Sequence, residues 1–192
     1  MRTKLGKACI GIVRKNTGYA SFISFSTGSI GPKCSKKVKN YQGVEKYISM
    51  VPYNTDFTPR VQAVTANPGI YFGSGTTPAS EDDYTIEDVI TSGITVTVSP
   101  NDGSGAYYYD ADSNSESAYL TYTITNTGSS AITISEICTF SNFSTGSDYG
   151  ASASSTFLFL VDRTVLDVPL VIEAGASGVL RYEIIFNGDE IV

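Results

Sequence analysis

The feature that most constrains the fold of this chain is a strict alternation of apolar and polar residues beyond residue 90. Segments 94–98, 119–125 and 179–186 each place apolar side chains on one face and polar side chains on the other. Such a period of two is typical of strands that are buried on a single face. Segments 99–105 and 126–130 are rich in Gly, Ser and Asn, and supply turns between the strands. The pattern predicts an all-β protein.

Two apolar runs near the C-terminus predict further strands at 156–161 and 168–172. Asp162 and Arg163 interrupt the apolar sequence between them, and a charge pair satisfied at the strand end is favoured there over a subunit contact. The 24 Ser, 21 Thr, 13 Tyr and 9 Phe residues also fit a β protein.

Two local departures from the strand pattern are predicted. A change in the phase of alternation after residue 134 predicts a β-bulge near Glu136. Thr77 followed by Pro78, with acidic residues at 81–83, predicts a short helix whose N-cap is the threonine.

The net charge of -6 conceals a division of the chain into oppositely charged parts. Residues 1–60 contain 11 Lys and Arg against 2 Asp and Glu, whereas residues 61–192 contain 2 against 17. We therefore predict a basic N-terminal arm or small β subdomain at 1–66. An Ig-like or jelly-roll-like β-sandwich is predicted at 67–192, where short strands and turn signals follow one another.

The composition excludes several classes of site. The chain has no histidine, which excludes a Ser-His-Asp triad, a Cys-His dyad and an imidazole metal site. The cysteines, Cys9, Cys34 and Cys138, are too few and too far apart for a four-thiolate zinc site in one chain. Cys138 follows a strand pattern and is predicted to be a buried apolar residue. No apolar stretch approaches a membrane span, and the thiols indicate a reducing compartment.

One loop carries a partial metal-binding pattern. Asp110, Asp112, Asn114 and Glu116 alternate as ligands do in the first half of a calcium loop. Glycine and glutamate are missing from the later positions of that pattern. A solvated acidic loop is therefore favoured over a calcium site, and no other cofactor is predicted.

The basic end of the chain is predicted to bind an acidic partner. Lys33, Lys36, Lys37 and Lys39 form its densest basic run, and Glu81, Asp82 and Asp83 of a second copy would provide opposite charge. Head-to-tail contacts of this kind build homo-oligomers. Nucleic acid is a second possible partner, but the aromatic residues of this region do not form a recognisable stacking platform. The third interpretation of the basic residues is a solvated surface that binds no partner.

Several segments in combination resemble a module of tailed-bacteriophage virion proteins, over about residues 69–187. They are Tyr71-Phe72-Gly73-Ser74-Gly75-Thr76-Thr77-Pro78, Asp82-Asp83-Tyr84, Ile86-Glu87, Ile90-Thr91-Ser92-Gly93, Tyr122-Thr123-Ile124-Thr125-Asn126-Thr127-Gly128-Ser129-Ser130, Ile132-Thr133-Ile134-Ser135-Glu136-Ile137, Asp162-Arg163-Thr164-Val165-Leu166 and Tyr182-Glu183-Ile184-Ile185-Phe186.

The resemblance implies a non-enzymatic structural protein of the virion, made in the host cytoplasm and assembled in several copies with other virion proteins. It does not distinguish the capsid, the head–tail ring or collar, and the tail. The main alternative is an attachment module that binds a host surface or a carbohydrate, and an enzyme, the third hypothesis, would depend only on the carboxylate pairs at 81–83 and 87–88. Loops 99–117 and 141–155 would carry the attachment function, since their Tyr, Ser, Gly and Asp residues suit adaptable recognition.

Overall fold

A computed structural model describes residues 36–48, 52–55, 58–99, 106–110, 115–145 and 155–187. All regular structure in these ranges is β, and they contain no helix, which confirms the all-β class. The strands are β1 (Lys36–Lys39), β2 (Glu45–Ile48), β3 (Pro52–Thr55), β4 (Pro59–Arg60), β5 (Gly69–Gly73), β6 (Ile94–Ser99), β7 (Ala106–Asp110), β8 (Ser115–Asn126), β9 (Ile132–Thr145), β10 (Ser155–Ile172) and β11 (Ser177–Asn187).

The described chain therefore offers no helical segment that could cross a membrane.

The chain forms two compact units. One unit comprises the described residues up to Thr91 together with Ile134–Pro169, and the other comprises Ser92–Thr133 and the residues from Leu170 onward. The predicted boundary between 1–66 and 67–192 stays a prediction, because residues 1–35 lie outside the described ranges.

A sheet ordered β11-β8-β6, with β7 also pairing with β8, forms the second unit. Its strands coincide with the alternating segments of the sequence. Leu120, Tyr122 and Ile124 are buried, whereas the intervening residues 121, 123 and 125 are half-buried. The predicted faces of β8 are thus confirmed.

The sheet of the first unit is ordered β10-β9-β5-β4, and β3 also pairs with β9. All residues of β5 are buried, and so are residues 134–141 of β9. Tyr71 of β5 packs its ring edge-on against Phe140 of β9, with ring centroids 5.3 Å apart. Cys138 pairs with Tyr71 along the ladder and belongs to the same core cluster, with Ile86, Leu158 and Leu160, so its predicted burial is confirmed.

The predicted end of a strand at Asp162 and Arg163 is wrong, whereas the bulge predicted near Glu136 is tested only against β5, along which it does not occur. Glu136 pairs with Gly73 without a shift of register between β9 and β5, so no bulge occurs along this ladder. The change of phase arises because β9 is buried on both faces at this point. Strand β10 runs unbroken through Asp162 and Arg163, since the arginine finds acidic partners on other segments, which are described below.

The predicted helix at Thr77 is also wrong. Thr77 donates its N–H and its hydroxyl group to the carboxylate of Glu87 instead of capping a helix. Ser80 and Asp83 form a turn, in which the N–H of Ser80 lies 2.8 Å from the Asp83 carboxylate and that of Asp83 lies 3.2 Å from the Ser80 carbonyl. Side-chain bonds of this kind compete with helical bonds.

Candidate functional site

The most highly organised polar group in the described residues surrounds Glu136 of β9, which is fully buried. Its Oε1 accepts backbone N–H groups from Gly75 at 3.2 Å, Glu87 at 3.0 Å and Asp88 at 3.1 Å. Its Oε2 accepts Nε of Arg163 at 2.8 Å. A buried carboxylate is costly unless it is paired and hydrogen-bonded, and here both oxygens are engaged.

Arg163 of β10 connects Glu136 to two further acids. The arginine is 3% exposed, and its Nη1 lies 2.9 Å from Oδ2 of Asp83. Its Nη2 lies 3.5 Å from Oε2 of Glu87. Burial by itself would lower the pKa of Arg163, but hydrogen bonds to Asp83 and Glu136 outweigh it and raise that pKa. The guanidinium therefore stays charged. We call Asp83, Glu87, Glu136 and Arg163 the Arg163 cluster.

The cluster fastens the segment Ser74–Asp88, which we call the acidic loop. The loop closes where Gly73 pairs with Val89, and the N–H of Ser74 donates to the carbonyl of Asp88 at 2.9 Å. A surface loop with adjoining ends and its own packing is a common carrier of function. Inside it, Thr77 Oγ1 lies 2.5 Å from Oε1 of Glu87, and Thr77 N lies 3.1 Å from Oε2.

Two glycines make room for Glu136. A Cβ atom on Gly73 would lie 2.5 Å from Oε1 of Glu136 and 2.9 Å from the carbonyl oxygen of Asp88. A Cβ atom on Gly75 would lie 2.5 Å from Cβ of Glu87 and 2.6 Å from the same Glu136 oxygen. The Gly-Ser-Gly sequence, interpreted above as part of the resemblance, is thus where the backbone approaches the buried carboxylate.

The acidic loop is expected to loosen in acid. The hydroxyl and N–H of Thr77 lower the pKa of Glu87 below its ordinary value of 4.5, and Arg163 lowers it further. A lowered pKa in the folded state contributes stability above the ordinary value, and that contribution is lost as the pH falls through the lowered one.

Urea unfolding of wild type and of Glu87→Gln, followed by circular dichroism, tests this expectation. The advantage of wild type at about pH 7 should shrink below about pH 4.5 as Glu87 becomes protonated. Glu173→Gln, on the exposed turn between β10 and β11, is the control. A stability difference that does not change with pH between wild type and Glu87→Gln would contradict the expectation.

Cys138 is expected to be chemically inert in the folded protein. Its side chain is fully buried, and this burial, with the nearby charge of Glu136, raises the pKa of the thiol well above the ordinary 9.0. The thiolate is the reactive form. In a variant with Cys9→Ser and Cys34→Ser, iodoacetamide should label Cys138 only after denaturation. Labelling in native buffer at the rate seen in urea would contradict the assigned burial.

The predicted partner-binding residues fall in different surroundings. Asp83 is held by Arg163 of its own chain, whereas Asp82 is exposed and Glu81 is half-buried at the turn of the acidic loop. Lys39 is exposed, and its Nζ lies 5.3 Å from the centre of the Tyr84 ring. The remaining lysines of the basic run are partly described at most: Lys36 and Lys37 lie on β1, and Lys33 lies outside the described residues.

The predicted calcium ligands are only partly described. Asp110 pairs with Ser115 and Glu116 pairs with Tyr109 in the hairpin of β7 and β8. Asp112 and Asn114 lie outside the described residues, so the prediction stays open. Within the described ranges, no group of three or more acidic or thiol side chains is arranged to hold a metal ion.

Reasoning from the sequence expected Arg163 to belong to a satisfied charge pair but did not identify Glu136 as its partner. Glu136 follows the alternating isoleucines at 132 and 134 of β9 and precedes Ile137, and Arg163 comes two residues after the apolar run 157–161 of β10. Charged residues are seldom fully buried unless they are paired. An acidic and a basic residue, each interrupting an apolar strand, were therefore a signal that the two strands are neighbours and that the charges meet.

Comparison with known proteins finds no matching family model, no matching curated protein and no matching solved structure.

Proposed function

We propose that this chain is a non-enzymatic structural protein of a tailed-phage particle. Several copies would assemble with other virion proteins at the capsid, the head–tail ring or collar, or the tail. Its β strands would complete an Ig-like or jelly-roll-like sandwich, and function would reside in the surfaces that this scaffold displays.

The observation that carries the proposal is the use of the Arg163 cluster to hold a loop. Glu136 and Arg163 are buried and face each other and the backbone of the acidic loop. Groups that could serve catalysis elsewhere are occupied here by internal hydrogen bonds. These hydrogen bonds hold the acidic loop in place, with Glu81 and Asp82 at its turn. A surface that displays charge in a fixed position suits assembly.

The resemblance to virion proteins adds support from an independent direction. Four of its segments, 71–78, 82–84, 86–87 and 132–137, contribute residues that meet around Arg163, which belongs to a fifth. The segments are far apart along the chain but serve one contact network. Five of the segments that carry the resemblance therefore contribute to the contacts that hold the acidic loop.

The opposite charges of the chain support assembly in several copies. The acidic loop contains five acids and no base, whereas the residues before it include the dense lysine run. Contacts between such surfaces weaken with ionic strength. Light scattering on the full chain should accordingly show oligomers at about 50 mM salt that dissociate toward about 1 M.

Analysis of particles tests the proposed role directly. Virions of the phage that encodes this chain would be purified by density gradient, and their proteins identified by mass spectrometry. Antibody labelling in electron micrographs would then locate the chain on the capsid, neck or tail. Presence in infected cells together with absence from purified virions would refute the structural role.

The attachment alternative depends on loops that are largely outside the described residues. A glycan array and a cell-binding assay with the full chain would separate it from the structural role. Binding at low concentration that survives deletion of residues 1–40 would favour attachment. Loss of virion incorporation on the same deletion would favour assembly through the basic arm.

A further inference from the structure

The β1–β2 hairpin is a separate structural element. Among the described residues its two strands pair only with each other. Its turn is built by Asn40, whose Oδ1 accepts the N–H groups of Gln42 at 3.1 Å and Val44 at 2.9 Å. Gly43 completes the turn with φ of 77°. The hairpin thus keeps its own shape through local bonds.

The described contacts that attach this hairpin to the rest of the first unit are specific. The N–H of Tyr41 donates to the carbonyl of Leu158 at 3.1 Å, and the Tyr41 ring packs against the core cluster. A Cβ on Gly43 would lie 3.2 Å from the ring of Tyr84. Lys39 and Lys46 add cation–π contacts, the latter 4.7 Å from the centre of the Phe157 ring. Among the side chains that the structure describes, those of the turn and of Lys39 and Lys46 make this attachment.

Charge complementarity connects the hairpin with the acidic loop. Lys36–Ile48 carries four lysines and one glutamate, and the acidic loop carries five acids. Lys39 already lies over Tyr84, the residue that follows Asp83 in the loop. Lys39 thus lies against the acidic loop of its own copy through the Tyr84 ring, whereas its predicted partners were the acids 81–83 of a second copy.

We infer that the hairpin is an exchangeable docking element, and that assembled copies insert it into one another at the surface formed by Tyr84, Phe157 and Leu158. The inference rests on the multi-copy assembly proposed above. An exchanged element makes the same contacts in its partner as in its own chain, so exchange costs little once copies are concentrated. Only three residues separate β2 from β3, and short connections favour exchange.

A photocrosslink from the docking surface distinguishes the two arrangements. Tyr84→p-benzoylphenylalanine would be introduced into the full chain, and assemblies isolated by size exclusion with light scattering would be irradiated. We expect a covalent species of twice the chain mass, whose crosslinked peptide joins position 84 to residues 39–46. The same group placed at Tyr119 of β8, whose ring lies under the guanidinium group of Arg181, should give no such product.

The outcomes separate this inference from the proposed function. Assemblies whose position 84 is crosslinked only to the hairpin of the same chain would overturn the exchange and leave the structural role intact. A chain that remains a single copy at every concentration would overturn both the exchange and multi-copy assembly. Crosslinks from position 84 to residues other than the hairpin would also overturn the exchange.

A second variant tests the inference independently, in case the labelled chain does not fold. Tyr41→Ser removes the ring that packs on the core cluster and should weaken assembly by more than about tenfold. Val168→Ser, at an exposed position of β10 away from the hairpin, is the control. Unchanged assembly of a folded Tyr41→Ser protein would overturn the inference independently of the crosslink.

Discussion

Replacing Arg163 with methionine should lower the free energy of unfolding by about 3–5 kcal/mol. The substitution keeps much of the side-chain volume but removes the positive charge that faces Asp83 and Glu136. Glu136 would then remain fully buried with only backbone donors. Breaking one side of a buried pair costs far more than the pair itself contributes, because the remaining charge loses its compensation. Urea unfolding followed by circular dichroism measures the loss.

The only other arginine beyond residue 61 supplies a matched control. Arg181 pairs with Glu183 at 3.2 Å, but its side chain is 55% exposed. Arg181→Met should therefore cost no more than about 1 kcal/mol, as is usual for surface pairs. Equal losses for Arg163→Met and Arg181→Met would show that burial does not set the energetics of the Arg163 cluster.

A double substitution isolates the interaction energy. Glu136→Gln by itself leaves Arg163 facing a neutral amide, and the double variant with Arg163→Met removes both charges. Because the two residues are in direct contact, their effects should not add. We expect the double variant to be more stable than the sum of the single losses predicts.

The alternating strands could be predicted because each residue's environment follows from its immediate neighbours. The apolar side chains of β8 are buried and the intervening threonines are less so, as a period of two requires. The position at which a strand ends depends less on neighbouring residues, because contacts with distant parts of the chain also decide it. Asp162 and Arg163 suggested a break, yet β10 continues because Asp83 and Glu136, distant along the chain, satisfy the arginine.

The acidic loop is a second place where a contact distant along the chain, and not the local sequence, decides the structure. The local signals at Thr77 and Pro78 fit a helix start, but Thr77 donates its hydroxyl group and N–H to Glu87, and the turn of Ser80 and Asp83 takes the place of a helical turn. Glu87 is itself positioned by its own N–H bond to Glu136. Here a contact between distant segments overrides the local preference for a helix. The signal of that contact in the sequence was Glu136, a charged residue in the apolar part of β9.

Substituting alanine at Gly73 should cost about 3 kcal/mol, the second large effect expected in this chain. The new Cβ would lie 2.5 Å from Oε1 and 2.7 Å from Cγ of Glu136, and 2.9 Å from the carbonyl oxygen of Asp88. Glu136 is fully buried and held by four donors, so it has little freedom to move aside. The strain would open the closure of the acidic loop at the bridge to Val89.

Two further glycine substitutions should lower the stability by smaller amounts, which depend on the atoms that the new Cβ would contact. Gly75→Ala should cost less than Gly73→Ala, because its contacts are side-chain atoms of Glu87 and Glu136 and Glu87 is 40% exposed. Gly128→Ala, whose Cβ would meet only Oδ1 of Asn126 at 3.2 Å, should cost less than about 1 kcal/mol. Thermal unfolding of the three variants gives the order directly. If Gly73→Ala unfolded at the same temperature as Gly128→Ala, the close approach of β5 to the buried carboxylate could not be what holds the acidic loop.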